Sequence, residues 1–392
     1  MLRSSLVCAL LALSVAGCAA SFDSGSKLKS LRVLAVKKDK PYARPGETVH
    51  LQMLLDDPRA LLPDAGHGSS EKISVGWLGG CEDPNADSFE GCLTQFQNAG
   101  NLVLLPHALD TLDFSVTLSD DIISRQPAPA NPTQPKSGSA FVFFALCATQ
   151  VQFGGANSAF SCQSPSGEPL GPDDFVLGYT EVFAYEKFRN QNPKVTGFEV
   201  DGQPIDVDCV GDACVALEQE DFGIGFPAGP SMPSGPEGGL PSDAGALRDG
   251  GSLHEASVGL DASTAPQLMR PTCANGDPRC FQACTVDDDS KCPKHTVNLV
   301  VDKSSAEVDG VAEAIEGRNV GEQMWINYYT DAGKLDHDVK LLNDATTGWN
   351  DNHSADLHSP QALGTFHVWA AAHDNRGGVE WARITLATTS PY

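Results

Sequence analysis

Basic residues are scarce. The 392-residue chain carries 26 Lys and Arg against 51 Asp and Glu, a formal charge of −25. Phosphate binding needs a basic footprint, so the balance argues against a nucleic-acid partner. It equally disfavours broad adhesion to an anionic lipid surface. Long apolar runs are lacking too: no stretch reaches the 18 or so consecutive apolar residues of a spanning helix. Catalytic signatures are missing. There is no G-x-S-x-G elbow, no H-E-x-x-H, no Gly-rich phosphate loop and no C-x-x-C redox pair. No cofactor is expected. What the chain has in quantity is turn formers, with 38 Gly and 26 Pro.

The N-terminus supplies an address. Arg3 gives a positive start, and residues 6–15 form a short apolar run. That is the length of a signal-peptide core and too short to span a bilayer. The run ends Val15-Ala16-Gly17-Cys18. This segment resembles a bacterial lipobox, which implies diacylation of Cys18, a mature N-terminus there, and a membrane partner reached through the lipid. Ala19 and Ala20 follow, with no Asp at the second mature position. In the common sorting pattern this implies the outer membrane. An ordinary cleaved signal with a chance cysteine is the alternative. Residues 1–18 are thus expected to be a lipoprotein signal and 19–27 a flexible tether.

Ten cysteines remain after Cys8 and Cys18. An even number in an exported chain reads as disulfides. Cys81 with Cys92, Cys147 with Cys162, and Cys209 with Cys214 are sequential pairs. Cys273, Cys280, Cys284 and Cys292 admit three connectivities. Their C-x6-C-x3-C-x7-C spacing has only one gap of zinc-knuckle length, so disulfides are preferred over a metal. Each local bridge stabilises by about 2–3 kcal/mol on the chain-entropy model.

Strand-like segments dominate residues 28–190. Val49, Leu51, Met53 and Leu55 alternate with His50, Gln52 and Leu54, mostly at period two; Ile73, Val75 and Trp77 alternate with Ser74 and Gly76, and Leu112, Phe114, Val116 and Leu118 with Asp113, Ser115 and Thr117. Residues 141–147, FVFFALC, are apolar on both faces, as in a central strand. Residues 176–185 form a further long strand. No 3.6-residue period accompanies them. The pattern predicts an antiparallel β-sandwich. The turn Pro45-Gly46-Glu47 between two strands, and Trp77 in the third, resemble bacterial immunoglobulin-like (Ig-like) domains. The strand at 49–55 has no cysteine, so the antibody-type bridge between the sheets is absent and Cys147 is expected to reach Cys162.

A break at Asn192-Pro193 precedes a strand at 194–200 that is expected to open a second domain. Residues 191–293 then hold cysteine-bearing flanks and an insertion. Between 227 and 266, Gly and Pro make up 14 of 40 residues. Such composition cannot bury enough apolar area to offset ordering entropy, so residues 222–271 are expected to be disordered. Residues 294–392 complete the second sandwich, with strands at 297–301, 324–329, 366–372 and 379–386. The aromatic strand, the turn Asp374-Asn375-Arg376-Gly377-Gly378 and the return strand resemble the last hairpin of bacterial Ig-like or PKD-like modules. The fold class is therefore all-β, two Ig-like antiparallel β-sandwiches separated by a disordered Gly/Pro/Ser/Ala-rich insertion. As a whole the chain resembles the lipid-anchored, Ig-like surface proteins of myxobacteria, a family with no established activity to transfer.

Three constellations carry the remaining chemistry. Asp83, Asn85 and Asp87 have the 1-3-5 oxygen spacing of a calcium loop, but position 6 is not Gly and position 12 is Thr94. A polar surface loop is the alternative. His353, His358, His367 and His373 lie near Asp351, Asp356 and Asp374, either around a metal or as separate loop histidines. Trp325, Tyr328, Tyr329, Trp369 and Trp381 would stack carbohydrate if exposed in a row; otherwise they are core. No catalytic residue is assigned. The sequence thus points to a lipid-anchored envelope protein that binds or scaffolds a protein or glycan partner. A polysaccharide- or peptidoglycan-binding accessory protein is the second reading, and a metal-dependent enzyme the third.

Overall fold

The computed structural model describes residues 25–57, 73–82, 92, 105–153, 160–221 except 165 and 169, 271, 273 and 276–390. Within them the chain is nearly all β and forms two Ig-like sandwiches. The insertion expected at 222–271 lies almost wholly outside the described residues, as do Cys18 and the signal segment. Among the described residues no helix is long and apolar enough to cross a membrane.

In the first sandwich, β1 (Arg32–Lys38), β3 (Thr48–Asp56) and β6 (Asp113–Thr117) form one sheet in the order β1-β3-β6. The other contains β2 (Tyr42–Ala43), β4 (Ser74–Cys81), β5 (His107–Leu109), β7 (Gly138–Cys147) and β10 (Phe175–Ala184), in the order β2-β10-β7-β4-β5. The opening strand is split between the sheets: β1 pairs antiparallel with β3, and β2 pairs parallel with β10. A hairpin of β8 (Gln150–Phe153) and β9 (Phe160–Gln163) follows β7.

Local sequence explains the layers. All ten residues of β7 are buried, because β4 and β10 flank it and both its faces are covered. One face meets the inter-sheet core. The other meets a second apolar cluster of Leu78, Phe141, Phe143, Val151 and Phe160 around the Cys147–Cys162 bridge. Trp77 pins the first core: its ring stacks on Phe114 at 5.6 Å, and Nε1 donates to Thr111 O at 2.8 Å. A buried indole thereby satisfies its one donor.

The second sandwich begins with β11 (Val195–Val200) and β12 (Gln203–Ile205). These join β15 (Lys294–Val301), β17 (Lys334–Asp336) and β20 (Ala355–His358) in the order β12-β11-β15-β20-β17. β11 pairs antiparallel with β15 across the long intervening segment. The facing sheet is built from β13 (Cys209–Val210), β16 (Met324–Thr330), β18 (Val339–Asp344), β19 (Gly348–Trp349), β21 (Gly364–Asp374) and β22 (Val379–Thr389), in the order β13-β22-β21-β16-β18-β19. β14 (Cys280–Gln282) adds in parallel to β22. In β16 the period of two is complete: Met324, Ile326, Tyr328 and Thr330 point inward and the residues between are half-buried.

Two short helices were not anticipated from sequence. α1 (Asp212–Asp221) follows β13 directly, and α2 (Gly310–Glu316) lies between β15 and β16. α2 has local signals at both ends. The Asp309 carboxylate accepts from the N–H groups of Val311 and Ala312, and Gly317 closes the helix in the left-handed region. Its seven residues are too few for a helical period to show.

Candidate functional site

The most developed constellation of buried polar and aromatic groups lies between the sandwiches. Leu28, Leu31, Leu34 and Leu54 share one continuous apolar cluster with Trp369, Ala371, Val379 and Trp381 of the second sandwich. The sandwiches therefore pack side against side over the outer face of β21 and β22. The segment after β13 clamps this contact. Trp381 Nε1 donates to Gly211 O at 2.9 Å, while Cys214 and Val215 at the start of α1 enter the same cluster. Lys37 of β1 bridges Asp212 Oδ1 at 2.8 Å and Glu380 Oε2 at 2.9 Å. Gly211 has φ +55°, a left-handed conformation that favours glycine, and a Cβ there would displace the Glu380 carboxylate, whose Oε1 would lie 2.6 Å away.

The turn between β21 and β22 closes the top of the junction. Asp374 Oδ1 accepts from the N–H of Arg376 at 2.8 Å and of Gly378 at 2.7 Å, and Oδ2 accepts from Asn190 Nδ2 at 3.0 Å. Arg376, only 3% exposed, reaches back into the interface. Nε donates to Glu322 Oε1 at 2.9 Å, Nη2 to Glu307 Oε2 at 3.0 Å and Nη1 to Arg189 O at 3.4 Å. Its guanidinium lies 5.9 Å from the ring of Tyr42 in the first sandwich. Asn192 ties the connecting segment to both partners, donating to Lys38 O at 2.7 Å and accepting from Val379 N at 3.0 Å.

Charges are crowded and dry here. Burial pushes the Lys38 ammonium down to about 8, against the attraction of Asp374 and Glu181. Burial and the neighbouring Asp374 push the Glu322 carboxyl up, against the pull of Arg376. Burial pushes His373 down to about 4, so its imidazole is neutral at pH 7. Such a network is weak evidence of net stability and stronger evidence that one relative geometry is specified. None of it was anticipated. The turn was legible as a turn, but its partners come from residues 189–192, 307 and 322.

The sequence candidates fall elsewhere. The cysteines form five local bridges: Cys81 with Cys92, Cys147 with Cys162, Cys209 with Cys214, Cys273 with Cys280, and Cys284 with Cys292. Asp83, Asn85 and Asp87 lie outside the described residues. The four histidines are engaged separately. His353 Nδ1 is 2.8 Å from Asn350 O, His358 Nε2 is 2.7 Å from Asp336 Oδ2, and His367 Nδ1 is 2.8 Å from Asp331 Oδ2. His373 stacks on Trp325 at 5.4 Å. Among the described residues no group of three or more His, Cys, Asp or Glu is placed to hold a metal ion. The aromatics do not form an exposed row: Tyr328, Trp369 and Trp381 are buried. Tyr328 Oη donates to His353 O at 3.0 Å and accepts from Leu299 N at 3.1 Å, a core role.

No family model and no curated protein matches the chain. Overlays on solved structures include the fibronectin(III)-like modules of CbhA from Clostridium thermocellum, at 6% identity and TM-score 0.19, covering 92% of this chain and 94% of that one. The chicken CNTN1 FN1-FN3 domains give 8% identity and TM-score 0.16, over 93% and 65% of the two chains. A 1.5-MDa bacterial ice-binding adhesin gives 7% identity and TM-score 0.17, over 93% and 66%. Scores this low carry no argument, and the Ig-like assignment rests on the strand order of the two sandwiches.

Proposed function

We propose that the chain is a lipid-anchored cell-envelope protein with a non-catalytic binding or scaffolding role. Cys18 carries the lipid and the residues after it lead to the sandwiches; of the tether expected at 19–27, Ser26 and Lys27 are not free but seated on Thr330. One observation carries the reading: all ten cysteines beyond the lipobox are joined in five bridges. Disulfides on this scale belong to an oxidising compartment, where a lipobox is processed. The engagement of the histidines and the buried aromatics in packing favours a scaffold over an enzyme or a glycan-stacking platform. Binding is then assigned to loops and outer faces, displayed by a frame whose two halves have a fixed relation.

Palmitate labelling of wild type and Cys18→Ala tests the anchor. Label is expected only in the wild type, and equal labelling overturns the lipoprotein reading. Cross-linking in intact cells, with mass spectrometry of the adducts, tests the binding role. Envelope proteins or glycans should appear as reproducible partners, and a chain that cross-links to nothing above an inert control is not a scaffold.

A further inference from the structure

We infer that residues 26–31 form a strap whose seat on the second sandwich holds the two sandwiches closed, so that a pull on the preceding tether opens the interface between them. The strap belongs by sequence to the entry of the first sandwich. Its partners belong to the second. Lys27 forms a parallel bridge with Thr330, the last residue of β16. Thr330 N donates to Ser26 O at 2.9 Å, and Leu28 N donates to Thr330 O at 2.8 Å. Arg32 Nη1 donates to Gly25 O at 3.0 Å and closes the loop on itself.

The seat is prepared. Thr330 is fully buried, and its hydroxyl lies 2.6 Å from Ala332 O and 2.9 Å from His367 O, with one proton to give to either, which fixes the end of β16. Leu28 and Leu31 are 1% and 2% exposed and belong to the cluster that covers Trp369 and Trp381. Two backbone hydrogen bonds and two leucines therefore close one end of the interface.

The Arg376 turn closes the other end. Met324 pairs with Asp374 and Thr330 with Val368 on the same strand pair. Six residues of strand separate the two closures, roughly 20 Å. They are unequal. The turn is bound through five residues and several charged groups. The strap has one isolated β-bridge to the second sandwich, which a pull loads residue by residue, whereas β1 beyond it is paired with β3 along its length. Detachment frees the strap end and uncovers Tyr329 and Trp369 there, while the Arg376 turn together with the Lys37–Glu380 and Trp381–Gly211 contacts serves as the hinge. This follows from the geometry of residues 25–38 and 324–381 and does not depend on lipid at Cys18.

The test uses the full chain with spin labels introduced at the exposed positions Leu177 and Val339 as bioorthogonal residues, leaving the disulfides intact. In Leu28→Asp/Leu31→Asp the inter-sandwich distance distribution should lengthen and broaden. Exchange at the Thr330 amide, which donates to the strap, should accelerate at least about tenfold, as expected for losing buried leucines from a locally opening unit. Amides in β7 and β15 should keep their protection, and a peptide of residues 25–31 added in trans should restore the narrow distribution. An unchanged distribution overturns the strap. Loss of protection in β7 and β15 also overturns it, because the leucines are then ordinary core. If the double variant does not accumulate, Leu28→Ala decides by the same measurement, and a distribution as narrow as wild type rejects the inference.

Discussion

Arg376 and Glu322 meet at 2.8 Å with side chains 3% and 1% exposed, an ion pair almost without water. Arg376 stands in a five-residue turn, and its guanidinium spans from its own sandwich to the segment joining it to the other. Removing one member of a buried pair leaves the other uncompensated, which typically costs about 3–5 kcal/mol. Arg376→Met should lose stability on that scale in urea unfolding. Glu322→Gln added to it should recover part of the loss, because an amide is cheaper to bury than a carboxylate.

His373 predicts a pH dependence. Its folded pKa, about 4, is below the ordinary value of 6.5. Between these values the unfolded chain binds a proton that the folded one does not. Stability therefore falls as pH drops from 6.5 towards 4 and gains no further slope from this group below that. The full effect is on the order of 3 kcal/mol. His373→Phe should flatten that part of the stability–pH curve, and an unchanged slope would assign it to other groups.

Gly378 has no room for a side chain. A Cβ there would collide with Asp374 Oδ2 and lie 3.1 Å from Gln191 O. Gly378→Ala should cost about 1–3 kcal/mol by forced displacement of the turn. Gly197, with nothing near its Cβ position, should accept alanine with little change.

The shared apolar cluster predicts joint unfolding. Two sandwiches joined by a flexible linker give two transitions, whereas these bury tryptophans against each other. Calorimetry of the intact chain should show one cooperative transition whose calorimetric and van't Hoff enthalpies agree.

Non-reducing peptide mapping should recover the five local bridges. Replacing both Cys147 and Cys162 with serine should cost about 3 kcal/mol, from the 15-residue separation of the pair.

Much of the strand content was legible because burial on one face imposes a period of two. β16 shows it without exception, and β7 shows its counterpart, a run buried on both sides. Three of the five cysteine pairs were legible because short separations leave few geometric options, whereas Cys273, Cys280, Cys284 and Cys292 lie close enough together to admit three pairings. The junction was not legible, for a specific reason. Trp369 and Trp381 alternate as strand residues should, but alternation does not say whether the outer face meets water or another domain. The half of that contact supplied by Leu28 and Leu31 lies some 340 residues earlier in the chain. Arg376 likewise reads as one more turn residue until Glu307, Glu322 and Arg189 are brought around it.

β22 has a further consequence for synthesis. It follows every other described strand, yet β13, β14 and β21 all pair with it, and its Val379 and Trp381 fill the seam between the sandwiches. The first sandwich can pair its own strands as they emerge, but its flank stays bare until residues 379–389 arrive. A chain interrupted before them presents an uncovered apolar flank and three strands with a missing neighbour, features that expose it to proteases and chaperones. Synthesis of residues 379–389 and closure of the molecule are thereby one event, so a copy interrupted before them is marked by its own surface.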